Sequence, residues 1–196
     1  MTEETNINWY DQHASDYCDK AIHEDMSWPY ADFLAHLAEN PAKILDLGCG
    51  SGRDLLYFKN KGHAVEGLDG SKEMCNAAQK LIKAEVLHQK FSQLDLGPNK
   101  YDGVFANATL MHVEPQDRLN FLNQIFDSLR KNGIFYAHYP KGSGTQQSLD
   151  GRTLRLTENW LKLCNNFAWT LELTQGRPIF FTPEEQTWQA IRFRKN

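Results

Sequence analysis

Between residues 42 and 139 the chain alternates short, continuous apolar runs with longer stretches whose apolar residues recur every three or four positions. Short runs bounded by turn residues mark strands buried on both faces, and the longer periodicity marks amphipathic helices. AKILDL (42–47) reads as a strand, SGRDLLYFKNKG (51–62) as a helix ended by Gly62, HAVEGLD (63–69) as a second strand, and SKEMCNAAQKLIK (71–83) as a helix with Ser71 as its N-cap. AEVLHQ (84–89) and YDGVFA (101–106) read as the third and fourth strands. A helix is expected from about Pro115, with Leu119, Leu122, Ile125, Phe126 and Leu129 at helical spacing and Asn132-Gly133 as its stop, before a fifth strand in GIFYAHY (133–139).

Residues 140–153, rich in Gly, Ser and Gln, read as a long loop before a helix near 157–167. WTLELTQ (169–175) and EQTWQAIRFR (185–194) follow as two strands with no room for a crossover helix between them, so the last strand must enter antiparallel. The first forty residues, with Trp9, Tyr10, Tyr17, Trp28 and Tyr30, predict one or two helices lying across the sheet edge. The alternation gives an α/β fold, a doubly wound and mostly parallel sheet, as a single domain over 1–196 with 1–40 as a helical cover.

Composition narrows the function. At 196 residues the chain suits one domain with a sizeable core, and its net charge of −4 gives no field to attract a polyanion. No run approaches the ~18 apolar residues a membrane span needs, and the first twenty residues lack a basic and apolar leader. The expectation is a soluble cytoplasmic protein with neither nucleic acid nor membrane as partner; its oligomeric state is not set by the sequence. Cys18, Cys49, Cys75 and Cys164 stand far apart with no CxxC pair, so reduced thiols and no metal site are expected.

The chemistry concentrates at Leu45-Asp46-Leu47-Gly48-Cys49-Gly50-Ser51-Gly52, a glycine-rich turn between the first strand and its helix. Glycine lets a ligand approach the backbone closely, and the carboxyl end of a central strand is where open α/β sheets bind ligands. Asp69 ends the second strand 19 residues after Gly50, a separation that suits an acid accepting from ribose hydroxyls. A dinucleotide motif would want a third glycine where Arg53 stands, which argues against a nicotinamide cofactor.

In these motifs the chain resembles the class I S-adenosylmethionine (SAM)-dependent methyltransferases over nearly its whole length. LDLGCGSG resembles the first motif of that family, GLDGS its ribose-binding acid, YDGVFANATLMHV its fourth strand with the active-site segment, and LRKNGIFYAHY its approach to the fifth strand. The resemblance implies a Rossmann-like sheet of seven strands in the order 3-2-1-4-5-7-6 with strand 7 antiparallel, and SAM as cofactor. It further implies that Gly48, Cys49 and Gly50 pack on the methionine part and that Asp46 orients their loop. By the same comparison Asp69 and Gly70 hold the ribose, Met74 lies on the adenine, and Asn107 faces the cofactor after strand 4. The family often has an acid after strand 3 for the adenine amine; here that position is Lys90, which cannot accept the bond. Stacking by Phe91 with its backbone amide, or a reach by Gln93, remain as substitutes.

His112 stands where the family places side chains facing the transferred methyl, and is a candidate general base, with a fixing role before Pro115 as the alternative. Tyr10 and Tyr17, in WYDQHASDY, resemble the family's N-terminal cover: Tyr17 as a cofactor and catalytic contact and Tyr10 as a substrate contact, against plain core packing for either. Lys141, Arg152 and Arg177 are expected at one rim of the mouth, where cations would select an anionic acceptor. The expected function is methyl transfer to a small molecule. The alternatives are an RNA- or protein-modifying methyltransferase and a non-catalytic SAM-binding regulatory module.

Overall fold

The computed structural model describes residues 2–148, 150–156, 160–178 and 187–196, with side chains left aside for 174–178 and 187. Two N-terminal helices, α1 (Glu3–Ala21) and α2 (Ser27–Ala35), precede β1 (Lys43–Leu47), α3 (Arg53–Asn60), β2 (Ala64–Asp69), α4 (Lys72–Ile82) and β3 (Val86–His88). There follow β4 (Tyr101–Asn107), α5 (Arg118–Ser128), β5 (Leu129–Pro140), β6 (Gly144–Gln147), β7 (Thr153–Leu156), α6 (Trp160–Cys164), β8 (Trp169–Pro178) and β9 (Thr187–Lys195).

Seven strands form one sheet in the order β3-β2-β1-β4-β5-β9-β8, and β6 and β7 form a separate antiparallel hairpin. With that hairpin set aside, the order is the one the resemblance implied. β1 pairs parallel with β2 and β4, while β9 runs antiparallel to β5 and β8.

Strand alternation sends successive side chains to opposite faces, and each face has its own core. Leu45, Val104 and Phe135 pack with Phe121, Leu122 and Ile125 of α5 and with Trp160 of α6. Their neighbours Ile44, Phe105 and Tyr136 pack on the other face with Phe33 of α2 and Phe58 of α3. A sheet covered on both sides explains why its strands read as continuous apolar runs.

Four sequence expectations need correction. α2 packs on the face of the sheet, because Tyr30 and Phe33 are buried and find aromatic partners there. α5 stops at Ser128, and Leu129 already pairs with Tyr101 in β5. Asn132, at φ 64, and Gly133 sit within that strand, where the pairing register shifts, and are not a helix stop. Leu119, expected on the buried face, is 48% exposed. The fourth correction concerns the long loop: there β6 and β7 pair as an antiparallel hairpin, which brings Arg152 and Thr153 against α1.

Candidate active site

A cleft of about 590 Å³, its open mouth included, lies at the carboxyl ends of β1, β2 and β4. Its floor comes from the chain turns that the sequence marked. Gly48 and Cys49 both donate to the carbonyl of Leu68, at 2.8 and 3.0 Å, so the glycine turn is pinned to the end of β2. Gly48 adopts φ +76, and a Cβ there would stand 2.6 Å from Oγ1 of Thr109. Thr109, two residues past the end of β4, thus presses on the glycine turn, and its Oγ1 donates to Leu47 O at 2.7 Å.

Asp69 joins the two halves of the floor. Its carboxylate accepts from Gly50 N–H at 2.9 Å and from Ser71 N–H at 2.8 Å, one bond to each oxygen. Burial raises its pKa, and the backbone N–H groups of Ser71 and Gly50 pull it back. Ser71 caps α4 by accepting from Met74 N–H, as expected, and its hydroxyl donates to Asp11 of α1 at 2.6 Å.

The wall opposite is α1. Glu3, Asn6, Ile7, Tyr10 and Tyr17 line the cleft, a stripe at helical spacing on one face. Glu3 accepts from Phe91 N–H at 2.6 Å, beside an apolar surface of Ile7, Met74 and Phe91. Lys90 instead points to Glu4 and pairs with it. Asp11 anchors the helix over α4, and Arg53 Nη1 ties its far end by donating to Ala21 O at 2.8 Å.

At the β4 side the cleft carries an interlocked polar group. Tyr10 Oη lies 3.0 Å from His112 Nε2 and accepts from Arg152 Nη1 at 3.1 Å. Arg152 lies over the rings of Trp9, Tyr10 and Tyr17, with centroids at 5.3, 5.8 and 5.4 Å, and pairs with Asp150 at 2.7 Å. Burial and the positive charges of Arg152 and Arg155 push the His112 pKa down to about 3.

Gly48, Gly50, Asp69, Gly70, Met74, Phe91, Asn107, Tyr10, Tyr17 and His112 therefore meet in one cleft. Asp46 and Cys49 stand behind it. Asp46 is 1% exposed, and burial with the nearby Asp54 charge raises its pKa well above the usual range. Cys49 packs with Leu55, Cys75 and Ala78. Arg152 reaches the site through Tyr10. Lys141 is exposed and is not part of the cleft wall, and the side chain of Arg177 lies outside the described residues. The three cations expected to converge are thus represented at the site by Arg152, already engaged by an acid and three rings.

Sequence reasoning missed Glu3, Asn6, Ile7, Ser71 as a cleft residue, and Thr109. The first three carry a signal in hindsight, since they continue the face of Tyr10 and Tyr17 one and two turns toward the N-terminus. Thr109 carries none, because its importance comes from contact with a glycine 61 positions away. Among the described residues no group of three His, Cys, Asp or Glu side chains is placed to hold a metal, and no helix is long and apolar enough to cross a membrane.

Comparison with known proteins agrees with this geometry. A family model described as a methyltransferase domain matches residues 44–133. The carboxy-S-adenosyl-L-methionine synthase of Campylobacter concisus is 31% identical over 110 residues, covering 54% of this chain and 47% of that protein. The 18S rRNA (guanine-N(7))-methyltransferase bud23 of Schizosaccharomyces pombe is 30% identical over 146 residues, covering 66% of this chain and 53% of its own. The chain spans about half the length of these curated relatives. Among solved structures, the Burkholderia thailandensis 1,6-didemethyltoxoflavin-N1-methyltransferase, bound to 1,6-didemethyltoxoflavin and S-adenosylhomocysteine, superposes with a TM-score of 0.77 at 27% identity over 99% of this chain and 89% of that one. A TehB-like protein of Corynebacterium glutamicum shares the fold at 20% identity, with a TM-score of 0.72 over 94% of this chain and 99% of that one. The matched methyltransferase domain holds the glycine turn and the ribose-type acid, and the family match and the structural likeness together support a class I SAM-dependent methyltransferase.

Proposed function

We propose that the chain binds SAM in the cleft beneath α1 and transfers its methyl group to a small-molecule acceptor. The observation that carries the reading is the Asp69 carboxylate, held at the cleft floor by the Gly50 and Ser71 N–H groups. Two backbone bonds fix its orientation and leave lone pairs for a diol, and such charge-assisted bonds contribute roughly 1.5–3 kcal/mol. The wall of Ile7, Met74 and Phe91 suits a flat purine. Glu3, beside the Phe91 N–H, supplies the acceptor for an exocyclic amine that Lys90 cannot provide. Tyr17, whose ring lies 3.8 Å from the Cβ position of Gly50, and Asn107 complete the lining of the cleft.

SAM, when bound, supplies a methyl already joined to a good leaving group. The work of this chain is to hold, align and dry the site. Gly48 lets the turn close against Thr109 with no side chain between them, α1 covers the cleft, and Tyr10 and His112 flank the side beyond β4 where an acceptor would lie. We assign the acceptor as a small molecule because α1 walls this cleft and the net charge of −4 disfavours a polyanion. The relative that methylates 1,6-didemethyltoxoflavin supports the same size class. Arg152 keeps an anionic acceptor within the reading, although Asp150 offsets part of its charge.

The test is transfer of labelled methyl from SAM with the purified chain, offered in parallel a fraction of small metabolites, bulk RNA and bulk protein. Label in the small-molecule fraction is expected. Label in RNA or protein would replace the acceptor class, and SAM binding with label in none would favour a binding module.

A further inference from the structure

We infer that Asn6 is a positioning residue: its side-chain amide locks His112 in the neutral Nε2–H tautomer and so makes Tyr10 a hydrogen-bond donor to the cleft. This rests on the proposed reading only in taking the cleft as the methyl-transfer site.

The orientation of the Asn6 amide is set by the backbone of the hairpin. Its Oδ1 accepts from Thr153 N–H at 3.1 Å, so the nitrogen must face the other two partners. Nδ2 donates to Thr153 O at 3.0 Å and lies 3.3 Å from His112 Nδ1. An amide nitrogen has two hydrogens and no acceptor lone pair. It therefore gives one hydrogen to Thr153 and one to the ring, and Nδ1 must be the unprotonated nitrogen. Asn6 is 4% exposed and Thr153 is 1% exposed, so water does not offer a substitute.

A neutral imidazole with a bare Nδ1 carries its proton on Nε2. That proton goes to Tyr10 Oη, 3.0 Å away, and Arg152 Nη1 gives a second at 3.1 Å. With its oxygen accepting twice, the Tyr10 hydroxyl has its own proton left to give, and Tyr10 lines the cleft. The group as a whole donates. It recognises a lone pair or a negative charge on its guest, and His112 is not set to take a proton from it. The charged groups around the ring agree: Arg152 and Arg155 both disfavour the imidazolium, and the acids nearest them, Asp150 and Glu114, are spent in ion pairs with those two arginines. The acceptor class that follows is a nucleophile that arrives with an available lone pair or already ionised.

The test reads the tautomer directly, by two-bond 1H–15N correlation of the full chain labelled with 15N-histidine, between pH 5 and pH 8. The His112 signals are assigned by their loss in His112→Gln. A single neutral Nε2–H tautomer is expected across the range. In Asn6→Asp the new carboxylate can only accept, so the proton should move to Nδ1 and the ring should titrate within the range. In Asn6→Ala the ring should exchange between tautomers, which keeps the test usable if Asn6→Asp fails to fold. A wild-type Nδ1–H or mixed ring, or an unchanged tautomer in a folded Asn6 variant, overturns the inference. A parallel calorimetric titration with S-adenosylhomocysteine separates the two claims: no binding with the tautomer as described counts against the methyltransferase reading alone.

Discussion

Gly48 and Thr109 meet so closely that a Cβ on the glycine would stand 2.6 Å from the threonine oxygen and 3.0 Å from its methyl. Thr109 is itself held by donation to Leu47 O, so it has little room to give. Gly48→Ala is expected to cost about 1–3 kcal/mol of stability through overpacking and the left-handed φ, and to weaken S-adenosylhomocysteine at least tenfold. Gly62→Ala has the φ strain without the contact, since nothing lies within 4 Å of its Cβ position. Chemical denaturation and calorimetry on both should show cofactor loss only in the first.

The placement of Glu3 makes a separate statement about the purine edge. Glu3→Gln should weaken S-adenosylhomocysteine about tenfold while changing the affinity for its deaminated inosine counterpart far less, because the counterpart has no amine to give. Lys90→Ala removes the pair with Glu4 and should leave both affinities within about twofold. Equal losses for the two ligands in Glu3→Gln would mean that Glu3 only anchors α1 to Phe91.

His112 also predicts a pH effect on stability. Its folded pKa is held down to about 3, below the value near 6.5 of an unperturbed ring, so in this window the unfolded chain binds the extra proton. The contribution of the neutral ring is complete above about pH 6.5 and is lost as pH falls toward 3. Between pH 6.5 and 5 the wild type should lose about 1–2 kcal/mol more than His112→Gln does, read by urea denaturation at the two pH values. Parallel pH profiles would place His112 in water in the folded state.

Arg152 holds together α1 and the hairpin through Tyr10, Trp9, Tyr17 and Asp150. Arg152→Lys keeps the charge and loses the planar fork, so it should fail to rescue Arg152→Ala in acceptor KM while both retain S-adenosylhomocysteine binding. Full rescue by lysine would reduce its role to bulk charge.

Much of the sheet was legible because its strands are covered on both faces, which turns burial into apolar runs such as AKILDL and YDGVFA. The floor of the site was legible for a related reason: Gly48, Gly50 and Asp69 lie at strand ends where backbone geometry limits the choice of residue. The β6–β7 hairpin was not, since GTQQ is exposed along its whole length and carries no strand alternation. The end of α5 was missed because Leu129 suits either continuation, and pairing with Tyr101 decides between them. The roles of Asn6 and Arg152 depend on contacts between segments 142 to 147 positions apart, which no local pattern encodes. Lys141 and Arg177 were grouped with Arg152 from sheet order, but a position at a strand end does not fix where a long side chain goes.

The central claim is that Asp69 holds the ribose of SAM, and calorimetric titration of the whole chain with S-adenosylhomocysteine tests it most directly. The account predicts one site on the wild type, at least tenfold weaker binding by Asp69→Ala, and Asp69→Asn falling short of wild type because an amide oxygen lacks the charge and its nitrogen would confront the Gly50 or Ser71 N–H. Wild-type protein that binds no S-adenosylhomocysteine, or a folded Asp69→Ala that binds it as tightly as wild type, would contradict the account.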